Sequence, residues 1–473
     1  DETRTTTMRN PYYGQFVANK GVLSKSHGRS YNHNLQQLLN YNKSFGANEE
    51  HNIQVLLGHE TYNLRSYSLG AGKSNIFSTD NLELNGSVVD MGNSSSAFGE
   101  YVNEGYFFRA MYEYDGRIFA SASYRRDASS RFHPDHRWGN FWSVGAAWII
   151  NRESWFNAPV FSTLKIKASY GSQGNDAIGM YRYTDLYVVG NDGNDGFAIQ
   201  FGSKGNPNIT WETNSNLNVG AEFGLWNDRL SGSVDYFYRK TSDMLFSVPV
   251  APSMGYSSYY SNIGDMANTG VEIVLNGDIF RTKDVVWSIN ANFTYVKNKV
   301  LKLPDPRKDR TIDGHSGFIS GTSFIAEGLS LGTPLMPTYA GVNPETGESQ
   351  WNFFFYEEVD EVTGEPIDGE WIVTSDYTNV SSDPYSWKLM TDKCTMAPIF
   401  GGFGTTLYAY GFDFSIAFDY QLGGTGYDGS YAGYMSSPQT STAGKNMHLD
   451  LLDAWTPDNN TSNIPRLQFN DLY

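Results

Sequence analysis

LSGSVDYFYRKTSDMLF, residues 230–246, alternates two chemistries along its length. Ser231, Ser233, Asp235, Arg239, Thr241 and Asp243 take every second place, with Phe237 interrupting them. Leu230, Val234, Tyr236 and Tyr238 fill the places between, together with Gly232. Side chains of a strand point alternately to its two faces, so the pattern calls for one apolar and one polar environment. The run exceeds an ordinary globular strand, which is commonly about 5–6 residues long. A β-barrel in an outer membrane supplies both environments, with hydrocarbon outside and a wet lumen inside.

The same alternation recurs along the chain. Leu217, Val219, Ala221, Phe223 and Leu225 oppose Asn216, Asn218, Gly220 and Glu222. Trp287, Ile289, Ala291, Phe293 and Tyr295 oppose Ser288, Asn290, Asn292 and Thr294. Phe412, Phe414, Ile416, Phe418, Tyr420 and Leu422 oppose Asp413, Ser415, Asp419 and Gln421. Leu164, Ile166, Ala168 and Tyr170 oppose Lys165, Lys167 and Ser169, and a similar run begins near Asn34. A soluble half-buried sheet shows two or three such strands, whereas about thirteen candidates suit a membrane barrel. The fold expected over 1–473 is therefore all-β, a transmembrane antiparallel β-barrel.

The connections alternate as well. EYDG (113–116), LWNDRL (225–230), RTKD (281–284) and YAYG (408–411) are short turns. Long Gly-, Ser- and Asp-rich stretches lie between them at 68–97, 174–208, 247–265, 302–398 and 425–464. Outer-membrane barrels have short periplasmic turns and long extracellular loops. The 302–398 stretch is far longer than a connection in a compact soluble domain, and its aromatic residues predict a folded extracellular loop region.

Composition agrees. Tyr 32, Phe 29 and Trp 11 make 15% aromatic, and Tyr and Trp suit the boundary between headgroups and hydrocarbon. No apolar run approaches the roughly 20 residues of a spanning helix, which excludes an α-helical membrane protein but not a barrel. The net charge of −17 argues against nucleic acid as a partner. Cys394 is the one cysteine, so no internal disulfide and no cysteine-pair metal site is expected. DETRTTTMRN at the start lacks an initiator methionine and a signal segment, and the barrel reading makes the chain a portion of a longer protein.

Long, ordered stretches resemble the SusC/RagA family of TonB-dependent outer-membrane transporters. RRDASSRFHPDHRWGNFWSVGAAWIINRESWF (125–156), LKIKASYGSQGN (164–175) and GNPNITWETNSNLNVGAEFGLWNDRLSGSVDYFYRKTSDML (205–245) carry the likeness. NIGDMANTGVEIVLNGDI (262–279), APIFGGFGTTLYAYGFDFSIAFDYQLGG (397–424) and DAWTPDNNTSNIPR (453–466) follow in the same order. The resemblance is strong from about Asp115 onward and rests on length and alternation before that. It implies part of a 22-stranded barrel whose lumen is filled by a plug. The plug, the TonB-binding segment and the closing strands are expected outside this chain.

Several motifs tempt another reading. LGAGKS (69–74) has Tyr67 where a phosphate loop needs its first glycine, so it reads as a Gly-rich loop. GLSLG (328–332) matches a nucleophile elbow around Ser330, but Pro334 and Pro337 forbid the helix that motif requires. Glu327–Gly328, Gly332 and Tyr339 instead resemble a family stretch. Glu357, Glu358, Asp360, Glu361, Glu365, Asp368 and Glu370 crowd one loop, where a solvated acidic face outweighs catalysis. Calcium there is the one ion worth considering, although DEVTGEPIDGEW lacks a calcium-loop spacing. His133 and His136 lack a third ligand. No catalytic residue and no cofactor is expected.

Loop aromatics are the better lead. Tyr256, Tyr259 and Tyr260 lie in GYSSYYSN, Trp351 in WNFFFY, and Tyr427, Tyr431 and Tyr434 in GYDGSYAGYM. They suit stacking on cargo, sealing a partner over the barrel mouth, or packing among themselves. Glu222, Asp235, Arg239, Asn290, Asn292, Asp419 and Gln421 are expected to face the lumen, where they suit plug contacts and hydroxyl-rich solutes.

The resemblance implies an outer-membrane importer of oligosaccharides or peptides in a Gram-negative bacterium, not an enzyme. It would work with a SusD-like lid lipoprotein and be driven by TonB through the absent segment. A passive porin- or adhesin-like barrel is the alternative within the membrane, separable by whether a plug precedes it. A secreted carbohydrate-binding β-sandwich is the alternative outside it, separable by solubility without detergent.

Overall fold

The computed structural model describes all residues except 15, 192, 194, 195, 251, 361–364, 437–445 and 468–473, with the side chains of 249 and 252 also left out. Among the described residues thirteen strands are hydrogen-bonded side by side in chain order, antiparallel wherever their register is defined. They are β1 (Glu2–Arg9), β2 (Val22–Phe45), β3 (His51–Ile76), β4 (Ser95–Tyr114), β5 (Ile118–Ser129), β6 (Trp138–Ile149) and β7 (Phe161–Asn175). Then come β8 (Glu212–Leu225), β9 (Leu230–Ser242), β10 (Asp265–Arg281), β11 (Val285–Lys302), β12 (Ile399–Ala409) and β13 (Phe412–Leu422). Among the described residues no helix is long and apolar enough to cross a membrane, which says nothing of crossing by strands.

The chain divides into two compact units. One comprises Asp1–Ala146, Gly171–Glu212 and Ser258–Asn262, and the other Ala147–Tyr170, Thr213–Ser257 and Ile263–Tyr473. In the first, β2 and β3 run for 24 and 26 residues. About 9–11 residues suffice to span a membrane, so these strands continue well past any hydrocarbon band. The LGAGKS segment is part of this extension. It is not a loop: Leu69 to Lys73 pair with Leu23 to His27 of β2, because glycine and serine still offer full backbone pairing.

In the second unit the register keeps each chemistry on its own face. Val234 lies opposite Ala221 on β8 and Ile273 on β10, and Ile273 lies opposite Phe293 on β11. Phe403 and Phe418 stack at 5.1 Å on the same side of β12 and β13. These side chains stay open: Val234 is 42% exposed and Phe418 49%. Protein does not cover this face, which suits lipid contact. At the short-turn end Trp148, Trp155, Phe156 and Phe161 form a chain of ring contacts 5.9–6.1 Å apart. Such amphipathic and aromatic rings belong at a membrane boundary.

Phenylalanines on the polar face have a common arrangement. Phe237 is 4% exposed, and a Cβ on Gly270 of the neighbouring strand would lie 2.4 Å from its ring. Arg239 covers the ring at 4.7 Å. In the first unit Phe107 lies across Gly58, where a Cβ would come within 2.2 Å, and Arg125 covers it at 5.2 Å. A glycine makes room for the ring and a cation sits on its other side. Val274, opposite Ser233 and Asn292, is an apolar residue on the polar face with neither device.

A hydrophobic core of the second unit lies beyond the long sheet. Within 302–398, strands Arg310–Ile312, His315–Ser320 and Ser323–Ala326 form one small sheet, and Tyr339–Val342, Ser349–Tyr356 and Gly369–Thr374 another. Ile312, Phe324, Ala326, Leu329, Leu335 and Leu389 bury together, with Trp387 and Tyr385 against them. WNFFFY is thus a regular strand within a folded region. The root of this region is tied down by Glu327, whose carboxylate accepts from the Leu303 N–H at 2.9 Å and pairs with Lys308 at 2.9 Å. The Leu303 N–H and then Lys308 hold the Glu327 carboxyl below its ordinary range.

Two outcomes follow from this architecture. Val234→Arg destabilises the folded form by about 2–4 kcal/mol, as for arginine near a membrane midplane, whereas Ser233→Arg finds Glu222 opposite and costs far less. Heat-modifiable gel mobility separates them, and equal behaviour would overturn the face assignment. Glu327→Ala makes the 302–398 region markedly more sensitive to protease while leaving heat-modifiable mobility intact, and Glu327→Gln is milder because it still accepts from Leu303.

Candidate functional site

The polar face of β7, β8 and β9 carries a charged cluster. Lys167 Nζ lies 3.0 Å from Glu222 and 2.9 Å from Asp235, and Lys165 reaches Glu222 at 3.1 Å. All four side chains are part-open. Each carboxylate therefore has an ammonium partner and presents a charged, hydrated surface rather than an isolated charge. Arg239 is engaged with the Phe237 ring. Asn292 accepts from the Gly402 N–H at 3.0 Å. Asp419 stands opposite Gly402, Asn290 opposite Gly404, and Gln421 opposite Phe400. Thus Glu222 and Asp235 come together, while Asn290, Asn292, Asp419 and Gln421 line a separate stretch of the same face.

The GGFG run explains itself here. Gly401 faces the apolar side, where the Tyr420 ring crosses it and the Tyr420 hydroxyl donates to the Asn292 carbonyl at 3.0 Å. A Cβ on Gly401 would lie 2.2 Å from that carbonyl oxygen, which is backbone and cannot give way. Gly402 and Gly404 face the polar side and leave room for Asp419 and Asn290.

At the long-loop end of the first unit, sequence stretches far apart in the chain meet. Asp176, just after LKIKASYGSQGN, accepts from Ser129 at 2.6 Å and Tyr101 at 2.8 Å. Arg131 donates to the Asp176 carbonyl at 2.9 Å. Ser129 is fully buried and belongs to the RRDASSR run. Two residues earlier, Asp127 receives Arg125, which also reaches Glu60 at 3.0 Å. Phe132, Phe141 and Trp211 pack ring against ring at 5.3–5.5 Å, with Ile209 fully buried. Asn262 closes the set, exchanging hydrogen bonds with the Thr210 backbone at 2.8 Å in both directions. Sequence reading singled out none of these residues, because most of them are halves of contacts whose other halves lie tens of residues away.

The loop aromatics differ from one another. Tyr260 and Tyr259, in the first unit, are half-buried; Arg182 covers the Tyr260 ring at 5.1 Å and Asn206 donates to its carbonyl at 2.9 Å. Tyr256 falls in the second unit and is half-buried too. Trp351 is packed between Tyr339 and Tyr377 at 5.4 and 4.7 Å. In contrast, Tyr427, Tyr431 and Tyr434 are 65%, 41% and 52% exposed, the last two on the short helix Gly429–Met435. Tyr431 donates to Asp450 at 2.8 Å, which raises its phenol above the ordinary range.

DAWTPDNNTSNIPR packs on the 339–349 hairpin. Arg466 donates to the Thr346 carbonyl and to Glu348, and the Tyr339 hydroxyl donates to the Asn463 carbonyl at 2.9 Å. Ser330 contacts Cys394 at 3.0 Å with no helix following it, so the elbow-like spacing lacks its geometry. Among the described residues no three His, Cys, Asp or Glu side chains come together to hold a metal ion. Glu361 of the acidic loop lies outside the described residues.

Comparison with known proteins agrees with this architecture. Residues 2–354 match the family described as TonB dependent receptor-like, beta-barrel. TonB-dependent receptor P3 of Formosa agariphila is 31% identical over 415 residues, covering 83% of this chain and 38% of that protein. TonB-dependent receptor SusC of Bacteroides thetaiotaomicron is 28% identical over 66% of this chain and 30% of its own length. The structure of the RagAB peptide transporter superposes with a TM-score of 0.80 at 28% identity, over 98% of this chain and 49% of that one. The chain thus spans about a third of its curated relatives and about half of that solved chain. With the family match covering most of its length, the chain belongs to the TonB-dependent receptor β-barrel family of the Gram-negative outer membrane, on its SusC/RagA side.

Proposed function

We propose that this chain forms wall and surface loops of an active outer-membrane importer of oligosaccharides or peptides. The full protein works with a SusD-like lid lipoprotein and takes its energy from TonB through a segment outside these residues. The observation that carries the reading is the likeness to the RagAB peptide transporter along 98% of the chain, loops included. A polar face lined with paired charges and amides supports it, since such a wall can hold a plug by hydrogen bonds and pass hydroxylated or peptidic cargo. Long loops at one end of the strands are the side on which cargo and lid are met.

Among the candidate cargo or lid contacts, exposure favours Tyr427 and Tyr434 over the half-buried Tyr256, Tyr259, Tyr260 and Trp351. A paired Tyr427→Ala, Tyr434→Ala variant is expected to assemble normally and to slow growth on the cognate nutrient several-fold. Tyr260→Ala lowers folded yield instead, because it strips the support from Arg182. Growth is read beside the amount of heat-modifiable protein in the outer membrane. A gene deletion that leaves growth on every glycan and peptide source unchanged would overturn the import reading itself.

A further inference from the structure

The lipid-facing row of β11 ends in lysine. Trp287, Ile289, Ala291, Phe293 and Tyr295 share one face of that strand over nine residues. About 9–11 residues carry a strand across hydrocarbon. Lys297 and Lys299 come next on the same face, and both are exposed. In β9 the order repeats, with Val234, Tyr236 and Tyr238 followed by Lys240. Register sets the rows side by side across β10. Tyr238 lies opposite Thr269 and Thr269 opposite Lys297, while Lys240 lies opposite Ala267 and Ala267 opposite Lys299. Tyrosines mark the depth at which headgroups begin, so the lysines beyond them stand at headgroup level. Because β11 runs from the short 281–284 turn into the 302–398 region, that level is the outer leaflet.

Two of these cations are unclaimed. Lys240 Nζ lies 2.9 Å from Asp265, and Asp243 also acts on its charge. Lys297 and Lys299, among the described residues, make no ion pair. Their partners across the strand pair are Thr269 and Ala267, a hydroxyl and a methyl rather than a carboxylate. Same-face neighbours on a strand stand about 7 Å apart, near enough for two lysine ammoniums to converge on one anionic group. Lysine stems lie along apolar surface and lift the charge to the interface. Strands outside this chain add at the ends of the sheet, whereas β11 is enclosed between β10 and β12, so no further strand covers this face.

We infer that Lys297 and Lys299 hold a phosphate of the acylated glycolipid in the outer leaflet, with the Thr269 hydroxyl as a further donor. Charge and depth together select this occupant. It is anionic, it sits at headgroup level, and its acyl chains lie along Phe293 and Ala291 below the lysines. Clusters of basic side chains beside a membrane recognise anionic lipid heads in this way. A soluble acidic glycan or peptide has no use for the apolar row, and a zwitterionic phospholipid brings its own ammonium in competition with the lysines. The site goes beyond import, since it involves neither cargo, lid nor TonB: it fixes the wall to the lipid of its own leaflet.

The test is native mass spectrometry of the detergent-purified full-length protein, titrated separately with bisphosphorylated lipid A and with its phosphatase-treated, phosphate-free form. The phosphorylated lipid binds about tenfold more tightly or better, as charge-assisted hydrogen bonds to one phosphate imply. The paired variant Lys297→Gln, Lys299→Gln binds both forms alike, and Lys297→Arg, Lys299→Arg keeps the preference. Heat-modifiable mobility reports folding, and if the glutamine pair fails to fold, Lys297→Gln and Lys299→Gln singly each show part of the loss. Inorganic pyrophosphate in tenfold excess leaves the lipid bound. Equal affinity for the two lipids, a preference untouched by the glutamine variants, or displacement by pyrophosphate would each overturn the assignment, the last by making this a site for a free anion. Because no transport is read, its failure leaves the import reading standing.

Discussion

Hydrocarbon offers no hydrogen bonds, so every peptide N–H and C=O that meets lipid must be paired within the protein. The antiparallel ladder of β8 to β13 satisfies that demand strand by strand, each hydrogen-bonded to its sequence neighbour in the sheet. Once the ladder exists, side-chain identity is free to answer to two solvents. Ala221, Val234, Ile273 and Phe293 fall in one row because pairing leaves them no other place. The openness of these residues follows from the same constraint, since lipid rather than protein is their partner.

A second consequence is that a compact core forms beyond the strands. The long sheet buries residues such as Leu23, Phe141, Phe237 and Val300, whereas the 302–398 region builds a core from Ile312, Phe324, Leu335 and Leu389, much as a small soluble domain would. Apolar burial of that kind is worth having in water, whereas strands in a medium that already accepts apolar side chains need none of it.

The polar face shows how a wall copes with residues that break its alternation. Phe107 and Phe237 each rest on a cross-strand glycine beneath an arginine. Tyr420 lies over Gly401 in the same manner on the opposite face. Glycine in these strands is thus a receptacle for a neighbouring ring, not a weak point in the strand.

Residue alternation by itself determined the strands, their faces and the short turns between them, because a period of two is a local property that pairing only confirms. Trp287 to Tyr295 and Phe412 to Leu422 could be assigned before any fold was known, and the family likeness rested on stretches of the same local kind. Strand length was less legible: Leu69 to Lys73 read as a loop until β2 supplied a pairing partner. The sites were hardly legible at all. Asp176 with Ser129, and Lys167 with Glu222 and Asp235, are joined only by tertiary structure. Which loop tyrosines stay open was also decided there, for Tyr260 and Tyr434 differ in their neighbours and not in their chemistry. Alternation is written between adjacent residues, but proximity across the fold is written nowhere in the chain until the backbone has paired.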